Sequence, residues 1–173
     1  ARTDWVIRNG TGRNTSEGVE FNANWKPTNS KFGLNFGYTF TDSYDANTCD
    51  PDELAAYTDN ECRLTGNKVA KAKVRVPRHA VETNISYSMN QNLKSFLKGK
   101  YIGETRDFGN TNDSWTDQIL TDYFVFDLVN SYNLFDNYKI QIGINNILDE
   151  KYQQAHEYST MGRTFNFGLR RVY

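Results

Sequence analysis

The sequence predicts an all-β chain, an antiparallel up-and-down transmembrane β-barrel arrangement with about eight strands present. Three observations predict it. Apolar and polar residues alternate in stretch after stretch. In YKIQIGINNIL (138–148), Tyr138, Ile140, Ile142 and Ile144 share one face, and Lys139, Gln141, Gly143 and Asn145 the other. The links between stretches are alternately short and long. Aromatic rings gather near the stretch ends on the apolar side: Trp25, Tyr38, Phe40, Tyr101, Tyr132, Tyr138 and Tyr173.

Taken in order, the first and weakest stretch runs from Thr3 to Asn9. GVEFNANWK sets Val19, Phe21, Ala23 and Trp25 against Glu20, Asn22, Asn24 and Lys26, and Pro27 and Asn29 turn the chain. FGLNFGYTF sets Phe32, Leu34, Phe36, Tyr38 and Phe40 against Gly33, Asn35, Gly37 and Thr39. A polar loop is expected over 44–68. The fourth stretch changes parity, with Val74 and Val76 on one side of Pro77 and Val81, Ile85, Tyr87 and Met89 on the other. Proline cannot donate to a ladder, so a bulge is expected there. The fifth sets Leu93, Leu97 and Tyr101 against Lys94, Lys98 and Lys100, with Phe96 and Ile102 as exceptions. A second polar loop covers 107–121. YFVFDLVNSYNL sets Phe124, Phe126, Leu128, Tyr132 and Leu134 against Asp127, Ser131 and Asn133, with Val125 and Val129 as exceptions. Asp136-Asn137 is a two-residue turn into the opening stretch. A loop at 149–161 precedes TFNFGLRRVY, where Phe165, Phe167 and Leu169 oppose Asn166, Gly168 and Arg170. Short links PTNS, MNQN and DN thus alternate with long ones, as in a barrel with short turns at one rim and long loops at the other.

The 173 residues suit one domain, and a net charge of −1 gives no reason to expect nucleic acid or an acidic ligand. Hydrophobic content is 38% and mean hydropathy −0.74, and no apolar run approaches the ~20 residues of a spanning helix. Spanning β-strands need only ~9–11 residues, half of them apolar. Cys49 and Cys62 flank an acidic, turn-rich segment that also holds the one helical candidate, PDELAAY at 51–57. No further Cys and no nearby His completes a zinc site, so a local disulfide in an oxidising compartment is the favoured reading over two free thiols. ARTDWVIRNG holds no signal-peptide core, so an exported form would be mature or part of a longer chain.

An eight-stranded soluble barrel of lipocalin type would turn the apolar faces inward around a cavity. Two features favour the opposite orientation, with lipid outside. Aromatic rings sit near stretch ends, where interfacial girdles place them. The opposite faces carry Gly, Asn, Gln, Thr and Lys, which suits a wet lumen or a polar body inside a barrel.

NNILDEKYQQAHEYSTMGRTFNFGLRRVY, with Asn146-Ile147-Leu148-Asp149, Tyr152 and Gly162-Arg163, resembles the C-terminal end of a TonB-dependent outer-membrane receptor. SEGVEFNANWKPT and RVPRHAVETNISYSM are similar to two earlier strands of that family, in the same order. The resemblance implies the C-terminal part of a 22-stranded barrel, with residues 1–173 a single barrel segment and the plug domain encoded elsewhere in a parent chain. It implies an active-transport receptor in the bacterial outer membrane taking up a scarce small ligand, such as an iron–siderophore chelate. The implied partners are the lipid bilayer and lipopolysaccharide, the plug, a TonB-type energy-coupling protein reached through it, and the barrel-assembly machinery. That machinery would read Phe165, Phe167, Leu169 and Tyr173. Family members usually end in Phe; here Tyr173 ends the chain, with Arg171 two before it. A small closed barrel acting as pore or anchor, and the lipocalin-like binder, are the alternatives.

Among individual residues, Tyr57, Trp115, His156 and Tyr158 are loop candidates for ligand contact. Glu20, Lys98, Lys100, Asp127, Gln141 and Arg170 are expected to face the lumen and the plug. The loop at 45–65 is acidic, and the run Lys68, Lys71, Lys73, Arg75, Arg78 that follows is basic. Lys71, Lys73 and Arg75 should form one stripe, pairing with the acidic loop in preference to lipopolysaccharide. GTGRNTSEG lacks the Lys-Ser/Thr of a phosphate loop, and no nucleophile–base pair has a supporting context. No enzyme activity, cofactor, metal site or nucleic-acid partner is expected.

Overall fold

The computed structural model describes residues 14–45, 62–65, 68–111, 114–135 and 137–171. All regular structure is β: β1 (Asn14–Trp25), β2 (Phe32–Asp45), β3 (Cys62–Thr65), β4 (Lys68–Ala72), β5 (His79–Ser88), β6 (Leu93–Ile102), β7 (Thr105–Thr111), β8 (Ser114–Leu120), β9 (Tyr123–Leu134), β10 (Tyr138–Asn145), β11 (Gln153–Ala155), β12 (Tyr158–Ser159) and β13 (Thr164–Arg171). The chain divides into two compact units, Ala1–Glu17 with Asp42–Lys73, and Gly18–Thr41 with Val74–Tyr173. In the first, β4 pairs with the end of β2 (Tyr44 opposite Ala72, Asp45 opposite Lys71) and with β3.

The second unit is built on one sheet with strand order β13-β10-β9-β6-β5-β2 and β1 added beside β2. Apart from β1, whose pairing is with β2, each ladder is antiparallel and in register without interruption. Unbroken register matters because a slip of one residue would turn every side chain of a strand to the other face. Here parity is kept right across. Phe167, Ile142 and Asn130 stand in one row, and Phe165, Ile144, Leu128, Leu97, Ile85 and Leu34 in the next. On the opposite face Asp127, Lys98, Asn84 and Asn35 form a row beside Val125, Lys100, Glu82 and Gly37.

Among the described residues, nothing is layered over the apolar face. Ile142 is 53% exposed, Phe167 71% and Phe124 53%, and among the described residues Leu120 and Tyr123 alone are apolar and buried. A lipocalin-like arrangement would have packed Phe36, Phe126 and Ile142 together at a centre; instead they stand on one face of the sheet, Ile142 exposed and Phe36 and Phe126 half-buried. Phe32 against Tyr87 and Tyr101 against Phe124 have ring centroids 4.5 Å apart, so aromatic pairs line both ends of this face. Arg171, the residue at odds with an apolar ending, shares its row with Tyr138 and lies over that ring at 5.7 Å.

The short connections are closed by local polar chemistry. Asn90 Oδ1 accepts from the amides of Asn92 and Leu93 at 2.9 and 2.8 Å. Ser30 Oγ accepts from the Phe32 amide, and Asn29 takes a left-handed φ of 63°. Phe135 takes φ 54° after β9.

Three expectations are corrected. The loop at 44–68 contains β3 and reaches β4, the loop at 107–121 is the β7–β8 hairpin, and 149–161 holds the small β11–β12 ladder. There is no bulge at Pro77: β4 ends at Ala72, β5 begins at His79, and a turn at Val74 and Arg75 lies between. Val74 and Val76 thus belong to the connection and to neither strand, so the parity change does not mark one kinked strand. The basic stripe fails for the same reason, since Lys73 and Arg75 lie outside β4. The 3–9 stretch, the 51–57 segment and the Cys49–Cys62 pairing lie outside the described residues.

The two faces should respond oppositely to charge. Ile142→Lys is expected to cost ~2–4 kcal/mol in a bilayer and to reduce the heat-resistant folded fraction in outer membranes, while Gln141→Lys next to it leaves that fraction unchanged. Equal behaviour of the two variants would refute the orientation.

Candidate functional site

The second unit's long connections meet at one end of its sheet, around a buried carboxylate. Gly103 leads from β6 into the β7–β8 hairpin, its amide donating to the His79 carbonyl at 2.8 Å. Asp107 is then fully buried. Its Oδ1 accepts from Arg75 Nε and from the Phe108 amide, each at 2.9 Å, and its Oδ2 from the His156 amide at 2.7 Å. One side chain thus ties the turn before β5, the β7–β8 hairpin and the segment between β11 and β12. Burial pushes the Asp107 pKa up, but the His156 amide, the Arg75 guanidinium and the Phe108 amide outweigh it, holding the carboxyl below its usual range. The backbone at Arg75 is left-handed, with φ 60°, and its amide donates to the Arg106 carbonyl at 2.8 Å. Arg106 faces the other way, pairing with Asp117 across the hairpin at 2.6 Å, with 4% and 8% of the two side chains exposed. Its guanidinium lies 4.7 Å from the Phe108 ring centroid.

A second polar knot closes β10 to β13. Asn146 is buried with φ 50°; its amide donates to Asp127 Oδ1 at 2.8 Å. Its side chain donates to the Glu150 carbonyl at 3.0 Å and accepts from the Glu150 amide at 2.9 Å. Asp149, at φ 55°, accepts from the Arg163 amide at 2.7 Å and from Lys151 Nζ at 3.3 Å, and these partners lower its pKa. A Cβ on Gly162 would collide with Asp149 Oδ1, so a larger residue there has to displace this carboxylate from the Arg163 amide. The Asn-Ile-Leu-Asp segment is therefore a turn whose two polar ends carry the hydrogen bonds.

Between the hairpin and the last connection lies a cleft of about 430 Å³, lined by Gln118, Leu120, Lys151, Tyr152, His156 and Ser159 among others. Tyr152 stacks on the buried Tyr123 ring at 4.2 Å, which fixes the cleft floor. Its amide, hydroxyl, imidazole and ammonium groups can hydrogen-bond a polar ligand beside an aromatic plane.

Of the loop candidates, His156 and Tyr158 stand in this last connection. His156 lines the cleft, its Nε2 3.9 Å from Glu157, and Tyr158 is 73% exposed. Trp115 lies in β8 opposite Asn110, at the far tip of the hairpin. Tyr57 lies outside the described residues, as do Cys49 and Tyr173; Cys62 begins β3. Lys98, Lys100, Asp127, Gln141 and Arg170 share the polar face of the sheet, and Glu20 alternates with Val19 and Phe21 on exposed β1. Phe165, Phe167 and Leu169 are exposed on the apolar face. Arg75 meets Asp107; most of the acidic loop lies outside the described residues. No group of three potential metal ligands occurs among the described residues. Asp107, Arg106 and Asp117 were not singled out by the sequence, since Asp107 meets partners 32 and 49 positions away.

The sequence matches the family model described as "TonB dependent receptor-like, beta-barrel" over residues 1–147, and the chain belongs to that family, as part of a bacterial outer-membrane β-barrel. The fold is shared with solved receptors. The ferric-catecholate import receptor Fiu of E. coli superposes with TM-score 0.70 at 18% identity, over 93% of this chain and 21% of that one. The ferripyoverdine receptor of the Pseudomonas aeruginosa outer membrane gives 0.68 at 16% identity, over 92% and 20%. The siderophore receptor PiuA of Acinetobacter baumannii gives 0.57 at 20% identity, over 92% and 21%. The chain thus spans about a fifth of the length of these structures. No curated protein sequence matches it.

Removing the central carboxylate should loosen three connections at once. Asp107→Asn is expected to cost about 1.5–3 kcal/mol locally and to speed hydrogen exchange at the His156 and Phe108 amides. Because the folded pKa is lowered, the tie contributes its stability above the unfolded carboxylate value. Protection of both amides should persist down to about pH 4 and fall away below it as Asp107 protonates.

Proposed function

We propose that this chain is the C-terminal barrel portion of an outer-membrane active-transport receptor that takes up a scarce small ligand, a metal chelate of the iron–siderophore class. The observation that carries the reading is the family match together with a single sheet that is apolar on one face and polar on the other, with the second unit's elaborate connections at one end. The apolar face meets acyl chains and the polar face meets a plug encoded in the parent chain. That plug links the receptor to a TonB-type energy-coupling protein. The elaborate end faces outward, beside lipopolysaccharide, and offers the ligand His156, Tyr158 and Trp115. The barrel-assembly machinery engages the last strand, including Phe165, Phe167 and Leu169. Siderophore receptors among the structural neighbours support the ligand class. No step of covalent chemistry is required.

Deletion of the encoding gene is expected to abolish energy-dependent uptake of one ferric chelate and growth on it as sole iron source, with restoration by the intact gene. Tyr158→Ala should raise the half-saturating chelate concentration by about tenfold without lowering the amount of receptor assembled. Unchanged uptake of every chelate tested on deletion would overturn the ligand class.

A further inference from the structure

The polar face is not uniformly polar, and its charges are sorted by height. Nearest the short turns, Lys139 stands directly opposite Arg170, two like charges in one cross-strand pair. Lys94 stands one row further, between Ser88 and Ser131. Lys26 lies beside Gly33, whose added Cβ would come within 3.8 Å of the lysine Cγ. None of these four cations has an ion-pair partner among the described residues. Lys98 and Lys100, two and three rows above Lys94, form no ion pair among the described residues either, but each has a carboxylate as a cross-strand partner, Asp127 and Glu82, which Lys94, Lys139 and Arg170 lack. Opposed like charges destabilise a sheet, so the lower band is an unbalanced field where the upper band is balanced.

At the boundary of the two bands sits an apolar pair that a water-filled lumen does not explain. Phe96 and Val129 are direct cross-strand partners on the polar face, and Phe96 is 45% exposed. Lys94 and Lys98 flank Phe96 along β6. Buried Gly143 stands beside Val129 with no side chain of its own. An exposed aromatic side chain with Lys94 beside it and further cations toward the short turns offers a partner both an apolar contact and a charge to match.

We propose that this band is a docking surface for an acidic polypeptide segment, which seats an apolar side chain against Phe96 and Val129 and sets carboxylates among Lys26, Lys94, Lys139 and Arg170. The inference rests on the assignment of the polar face to the barrel interior, and it adds the sign of the partner, its anchor and its height on the wall.

The test places a photo-crosslinking phenylalanine analogue at Phe96, and separately at Ile142, in the full-length gene product in intact outer membranes. Crosslinked peptides are identified by mass spectrometry. The Phe96 probe is expected to capture a peptide with an excess of Asp and Glu. The yield should fall more than ~tenfold in Lys139→Glu/Arg170→Glu and by less in Lys139→Gln/Arg170→Gln, with equal assembled protein in all three. Capture of a neutral or basic peptide, capture indifferent to both double variants, or no capture would overturn the proposal. The Ile142 probe keeps the two readings apart. Phospholipid captured there upholds the face assignment whatever Phe96 reports, whereas phospholipid captured at Phe96 but not at Ile142 overturns the assignment itself.

Discussion

A lone β-sheet in water has to cover its apolar face, and this one does not. The unbroken register from β13 to β2 keeps most of the large apolar side chains on one surface, Phe96 excepted, with no second layer packed on it among the described residues. A hydrophobic core drives most folds, yet here two apolar residues are buried among those described. Backbone hydrogen bonding between neighbouring strands, demanded in full wherever water is absent, takes over as the organising constraint.

Where the sheet ends, polar chemistry sets the order. Asp107 gathers three connections by accepting hydrogen bonds that its burial would otherwise make costly to leave unmade, and Arg106 with Asp117 forms a desolvated pair beside it. Asn146 does the same for the approach to the last strand. Both knots use residues whose charge or amide would be unremarked on a surface. Their value comes from geometry: Arg75, Asn146 and Asp149, each on left-handed backbone, stand where their partners can be reached.

The strands of the sheet were legible because period-2 alternation is a local signal; β1, β2, β6, β9, β10 and β13 fall where Phe21, Phe36, Leu97, Phe126, Ile142 and Phe167 place them. The alternating link lengths showed which end would be elaborate. The hairpin β7–β8 was hidden because TRDFGNTNDSWTDQIL reads as solvated loop when the neutralisation of Arg106 by Asp117 is unseen. β11 and β12 are too short to carry a pattern. Asp107 gave no signal, since nothing near it in sequence announces Arg75 or His156. The exceptions Phe96 and Val129 were visible as breaks in alternation, but that they face each other is information held only by the register.

From β5 onward, each ladder of the main sheet joins strands that are nearest in order along the chain once the intervening hairpins are set aside. A meander of this kind never waits for a distant segment. Each new strand finds its template already made, so assembly can proceed as a zip, one hairpin after another, with little loop-closure entropy per step.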